Sequence, residues 1–151
     1  MLFSGVTSVF PVPSNEDVEI TEQQQEKFVK CVLTNTPYTE AVKFGDISVV
    51  FTTPNAREYE VLANVENDKF ADYLFASNIK SIRKGEEILY VKNAEQGVEE
   101  ILTRLTKLFQ DSIVFPLLVG YWYQFRSRYN KLYKEALSPS FFVKERTTSG
   151  G

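Results

Sequence analysis

Histidine is missing from all 151 residues of the chain. That absence removes Ser-His-Asp and Cys-His catalytic arrangements, zinc sites built on imidazole, and the usual general base for chemistry near neutral pH. Cysteine occurs once, at Cys31 in "KFVKCVLTN", so no internal disulfide framework exists, and its place on a helical apolar stripe reads as that of a small core residue. No glycine-rich phosphate loop or cluster of metal-ligand types is present, and no carboxylate pair has a spacing that separates it from ordinary surface charge. The sequence therefore predicts a protein that is not an enzyme and takes no cofactor.

Long apolar runs are lacking too. The longest, "IVFPLLVGYWYQF" over residues 113–125, falls short of the roughly 20 residues that a bilayer demands and carries proline, glycine and glutamine. The start, "MLFSGVTSVFPVPSN", shows neither a basic region nor a sustained apolar stretch, so a secretory leader is not expected. Nor is there an excess of positive charge. A net charge of -3 supplies no global attraction to nucleic acid or to an anionic membrane.

Aromatic side chains are plentiful, with 12 Phe, 8 Tyr and 1 Trp, a share suited to a well-filled core or to a contact surface. The organisation predicted is an extended N-terminal arm over residues 1–20, a single α+β domain over 21–137, and a C-terminal tail over 138–151. The arm offers Phe3, Val6, Val9 and Phe10 for docking. Within the domain, two β-hairpins pack with about five helices, the last long and amphipathic.

The local signals are these. Thr21 followed by Gln24 forms a capping-box pattern that opens a helix of about four turns, closing at Asn35 before Pro37. Alternation on both sides of Gly45-Asp46 predicts a hairpin, since glycine supplies the positive φ of a tight turn. Thr53 and Pro54 are expected as cap and first residue of a helix burying Tyr59, Leu62 and Ala63. Phe70, Tyr73 and Leu74 mark a further helix. A second hairpin pairs Ile79–Arg83 with Glu87–Val91 through Lys84-Gly85-Glu86. Val98, Ile101, Leu102, Leu105, Leu108 and Phe109 define one face of a helix from about Ala94 to Ile113, and Pro116 imposes a kink or a restart.

From Leu118 onward, Leu118, Trp122, Phe125, Tyr129, Leu132 and Ala136 recur at alternating spacings of four and three, the seam of an amphipathic helix. Because the first turns of this helix are apolar nearly all round, the seam is either private core or a surface for a partner or a second copy. The candidate partner-binding residues are Leu118, Trp122, Phe125, Tyr129 and Leu132, joined by Phe141 and Phe142 in the tail. A candidate basic patch comprises Arg126, Arg128, Lys131 and Lys134. From Tyr121 onward six cations face two glutamates, a local charge of +4. Interleaved with tyrosines, this patch makes a small nucleic-acid-binding module the alternative function.

The stretch "FGDISVVFTTPNAREYEVLANV" is similar to a feature of phage tail assembly chaperones and the related baseplate-hub assembly proteins. The shared pattern is a hairpin with a short polar turn, a threonine-rich corner, and a helix bearing Glu-x-x-x-Leu, here Glu58 and Leu62. "LFASNIKSI" followed by a long helix with an aromatic ending also resembles that group, and the likeness covers residues 38–137. It implies a non-enzymatic role in tail or baseplate morphogenesis in the host cytoplasm. The implied partners are other tail or baseplate proteins, the tape-measure protein among them, or further copies of the chain. Arms that dock on neighbours suit a subunit retained in the virion.

Overall fold

The computed structural model describes residues 19–93, 95–110 and 114–138. The fold is α+β, with two hairpins and five helices among those residues. The chain divides into two compact units. Among the described residues, unit 1 comprises 37–122 and unit 2 comprises 19–36 with 123–138.

Unit 1 is built on an antiparallel sheet of order β1-β2-β3-β4, with β1 at Thr39–Phe44, β2 at Ile47–Thr52, β3 at Ile79–Lys84 and β4 at Glu87–Val91. Gly45 and Gly85 turn the two hairpins at φ +60° and +58°, a conformation that costs a residue with a Cβ but not glycine. The second turn is tighter than the sequence predicts, because Lys84 pairs with Glu87 and leaves only Gly85-Glu86 between the strands. Val49, Ile82 and Tyr90 lie in one row across the sheet and are all buried. The alternate row, Val50, Ser81 and Val91, is half-buried or exposed, as the period of two requires.

Helices α2 (Ala56–Asn64) and α3 (Asn67–Asn78) fill the connection from β2 to β3. Thr53 and Pro54 do not start α2, contrary to the sequence reading. Thr53 is tied to the residue before β1, its amide donating to the Tyr38 carbonyl and its hydroxyl accepting from the Tyr38 amide. The cap falls to Asn55, which makes a reciprocal capping box with Glu58. That shift turns the helix so that Glu58 and Leu62 face inward, while Tyr59 and Ala63 face solvent.

In α3, Tyr73 is buried, but Phe70 is exposed, and Phe75 and Ala76 hold the central positions instead. This helix packs on β2, β3, α2 and α4. Helix α4 is shorter than predicted, Val98–Phe109, because its N-cap is Gly97. It buries Val98, Ile101, Leu105 and Phe109, four of the six residues assigned to its apolar face, and leaves Leu102 and Leu108 half-buried.

Helix α5, Val114–Ala136, begins two residues before Pro116, which therefore sits in the first turn, where no intrahelical donor is lost. Its residues up to Trp122 belong to unit 1. There Phe75 is the hub of an aromatic cluster, with ring centroids 6.3 Å from Phe109, 5.9 Å from Phe115 and 5.1 Å from Trp122. The edge-on geometry with Trp122, 86° between planes, is one that ring quadrupoles favour.

Unit 2 contains α1 (Glu22–Thr34) and the remainder of α5. The expected Thr21–Gln24 capping box opens α1, and Asn35 ends it in the left-handed conformation at φ 55°. Phe28 meets Tyr129 at 6.4 Å between centroids. Phe28, Val29, Phe125 and Leu132 are buried, whereas Cys31 is half-buried, so the thiol is not the core residue expected from the sequence.

Candidate functional site

The seam of α5 is the first candidate, and burial resolves it. Leu118, Trp122, Phe125 and Leu132 have no exposed surface, so these four, expected to meet a partner, are core residues of the chain itself. Trp122 is further fixed through its indole Nε1, which donates to Asn78 Oδ1 at 2.9 Å, while Asn78 Nδ2 donates to the Thr52 carbonyl at 2.9 Å. Tyr129 is half-buried, stacked with Phe125 at 11° between planes. Phe141 and Phe142 lie outside the described residues, as do the extended arm and most of the tail.

The candidate basic patch fares similarly. Lys134 is exposed, but Arg126, Arg128 and Lys131 are half-buried and engaged within the chain. Burial also lowers the Arg126 guanidinium below its ordinary range, the effect of desolvating a charge. A stripe of free cations is therefore not what this helix face presents.

Unit 2 also exposes large apolar side chains. On α1, Val32 is 50% and Leu33 74% exposed; at the end of α5, Tyr133 is 53% and the following Leu137 is 69% exposed.

Unit 1 holds a different feature. Glu58 Oε1 accepts from the Asn55 amide at 3.0 Å and from Lys92 Nζ at 2.6 Å, and Lys92 also donates to the Ser77 carbonyl at 2.9 Å. Both side chains are largely out of solvent, with 12% exposed for Lys92 and 7% for Glu58. The ion pair thus staples the first turn of α2 to the end of α3 and to the segment after β4. Beside it opens a pocket of about 40 Å³, whose lining includes Asn55, Glu58, Lys92, Gln96, Gly97 and Ile101. Gln96 is held by Arg104, which donates to its Oε1 at 2.6 Å while its guanidinium lies over the Tyr90 ring at 4.8 Å.

No protein family, no curated protein and no solved structure matches the chain.

Among the described residues no three acidic or thiol side chains come together in a way that could hold a metal ion. No helix formed by them is long and apolar enough to cross a membrane. The Glu58–Lys92 pair was not singled out by sequence. Glu58 was visible only as one member of Glu-x-x-x-Leu, and Lys92, 34 positions away, carries no local signal that it will be buried. The one available clue was Asn55 followed by Glu58, a capping box as good as Thr21–Gln24.

Proposed function

We propose that the chain is a non-enzymatic morphogenesis protein of a phage tail or baseplate, an assembly factor or minor virion subunit that works by protein–protein contact through unit 2. The observation that carries this reading is the exposure of Val32, Leu33 and Tyr133 on the two helices of unit 2 and of Leu137 just after the second. Large apolar side chains left in water favour association when a partner covers them, at roughly 1.5–3 kcal/mol per side chain fully buried. The link to tails rests on the resemblance over residues 38–137, within which Glu58 and Leu62 share the buried side of α2.

The test is co-expression with the tail and baseplate proteins encoded in the same genome, the tape-measure protein included, and light scattering on the purified products. A stable complex with one of them is expected for the wild-type chain, and its loss for Leu33→Glu combined with Leu137→Glu, with unchanged circular dichroism. Failure to form any complex, or equal binding by the double variant, refutes the role given to unit 2. The nucleic-acid reading retains only Lys134 as an exposed cation of its four, and no observation favours it over protein contact.

A further inference from the structure

We propose that the open groove between α2 and α3 receives a basic amphipathic helix of a partner protein. The groove belongs to unit 1, so the inference does not depend on the apolar side chains of unit 2. Glu60, Val61 and Asn64 of α2 and its C-cap Val65 form one wall, and Tyr73 of α3 faces them. The space is an open trough of about 550 Å³. Three observations define the chemistry of what fits it.

The first is an apolar floor. A spacing of four residues brings Val61 and Val65 to the same side of the chain, with Val61 39% exposed and Val65 half-buried. The Tyr73 side chain closes the trough from α3, and Phe70, one turn earlier on that helix, is 40% exposed. Covering such a strip with apolar side chains releases the water held over it.

The second is charge of one sign. Glu60 lines the groove, and Glu66 stands at the N-cap of α3 without a side-chain hydrogen bond to the helix. Neither forms an ion pair among the described residues. Glu99 adds a third carboxylate, accepting from the Tyr73 hydroxyl at 2.8 Å. That hydrogen bond, burial, and the charges of Glu99, Glu66 and Asp72 hold the Tyr73 phenol above its ordinary range, and no cation opposes them. The cations of the two helices, Arg57 and Lys69, do not line the groove. The field over the trough is therefore negative.

The third is what these two properties exclude together. A negative trough repels nucleic-acid phosphates and anionic lipid headgroups. Among the described residues no three acidic side chains come together to hold a metal ion. A second copy presenting the same groove would set carboxylates against carboxylates. The complement is an element with apolar and cationic side chains next to each other. Because positions 60, 61, 64 and 65 follow one face of α2, a second helix laid along that face matches them, with apolar anchors at i, i+3 and i+4 flanked by lysine or arginine.

The experiment is an NMR titration of the ¹⁵N-labelled full chain with an acetylated, amidated peptide of leucine and lysine, its leucines on one helical face. Two control peptides are used, one with glutamate in place of lysine and one of the same composition shuffled so that the leucines share no face. Saturable shifts at Val61, Asn64, Val65 and Tyr73 are expected from the first peptide alone, and they should weaken as salt is raised. No saturable shift at these positions, or the same shift from either control, overturns the proposal.

Two variants separate charge from apolar contact, and all three substituted side chains are exposed, so melting temperatures should not change. Glu60→Gln combined with Glu66→Gln should bind the lysine peptide about fivefold more weakly, and Val61→Ser about threefold more weakly. Wild-type affinity in either variant overturns the role given to that property and the proposal with it. Light scattering on the chain alone covers the remaining occupant. Self-association that the two glutamine substitutions abolish would assign the groove to a second copy, against the proposal.

Discussion

Tyr90 shows what one buried hydroxyl does to the chain's response to pH. Its side chain is 3% exposed and its hydroxyl has no hydrogen-bond partner among the described residues. Burial pushes the phenol up to about 12, the nearby Arg104 guanidinium opposing this and Glu58 adding to it. Since the folded value lies above the ordinary one near 10, the folded state holds this proton more tightly than the unfolded state. The associated stability is complete below about pH 10 and is lost as pH rises toward 12, on the order of 2–3 kcal/mol in all. Tyr90→Phe keeps the ring under Arg104 and removes the unpartnered hydroxyl. It should leave stability unchanged or raise it by about 1 kcal/mol at neutral pH, and flatten the alkaline loss. Urea midpoints of both chains at about pH 8 and about pH 11 check this.

At the scale of elements, α2 is where sequence and structure part most clearly, and the reason is a competition between neighbours. Thr53-Pro54 is a sound start signal, yet Thr53 is claimed by Tyr38, the residue before β1, through two hydrogen bonds, so the weaker-looking Asn55 becomes the cap. The hairpins were legible because a tight turn with positive φ has only glycine as its ordinary solution, and each turn has one. Tertiary contacts of this kind leave no such mark. The Glu58–Lys92 pair belongs to the same class: it joins the N-terminus of α2 to the segment after β4 and to the end of α3.

Removing one partner should therefore hurt far more than removing both. Glu58→Ala is expected to cost about 3–5 kcal/mol, because Lys92 stays buried without its counter-charge and α2 loses half its box. Glu58→Leu with Lys92→Met should come within about 1–2 kcal/mol of the wild-type chain. A double-mutant cycle built on Glu58→Leu and Lys92→Met, alone and together, measures the difference by chemical denaturation, and additive single and double variants would show that the pair is not coupled.

At the scale of the whole molecule, the question posed by the α5 seam was whether its aromatic residues face a partner or a core. Periodicity alone leaves that open, because both kinds of surface need the same spacing. Burial decides it: Trp122 and Phe125 have no exposed surface. Trp122→Ala should accordingly cost about 3–5 kcal/mol through the void it leaves, and the loss is compounded because Asn78 Oδ1 forfeits its donor. The expected result is broad loss of cooperative unfolding by calorimetry, and an intact fold with selectively weakened association would contradict the burial. The residues that distinguish surface from core in unit 2, Leu33 and Leu137, lie at helix ends, where the apolar pattern stops being periodic and the sequence no longer says which way a side chain points.

The bond from Trp122 to Asn78 has a further use. Trp122 is the only tryptophan in the chain, and it sits without solvent contact in unit 1, edge-on to Phe75. Its fluorescence is therefore a label that the chain carries at a single buried position. Emission from the folded chain lies toward the blue, and its shift to the red reports the exposure of Trp122 to water.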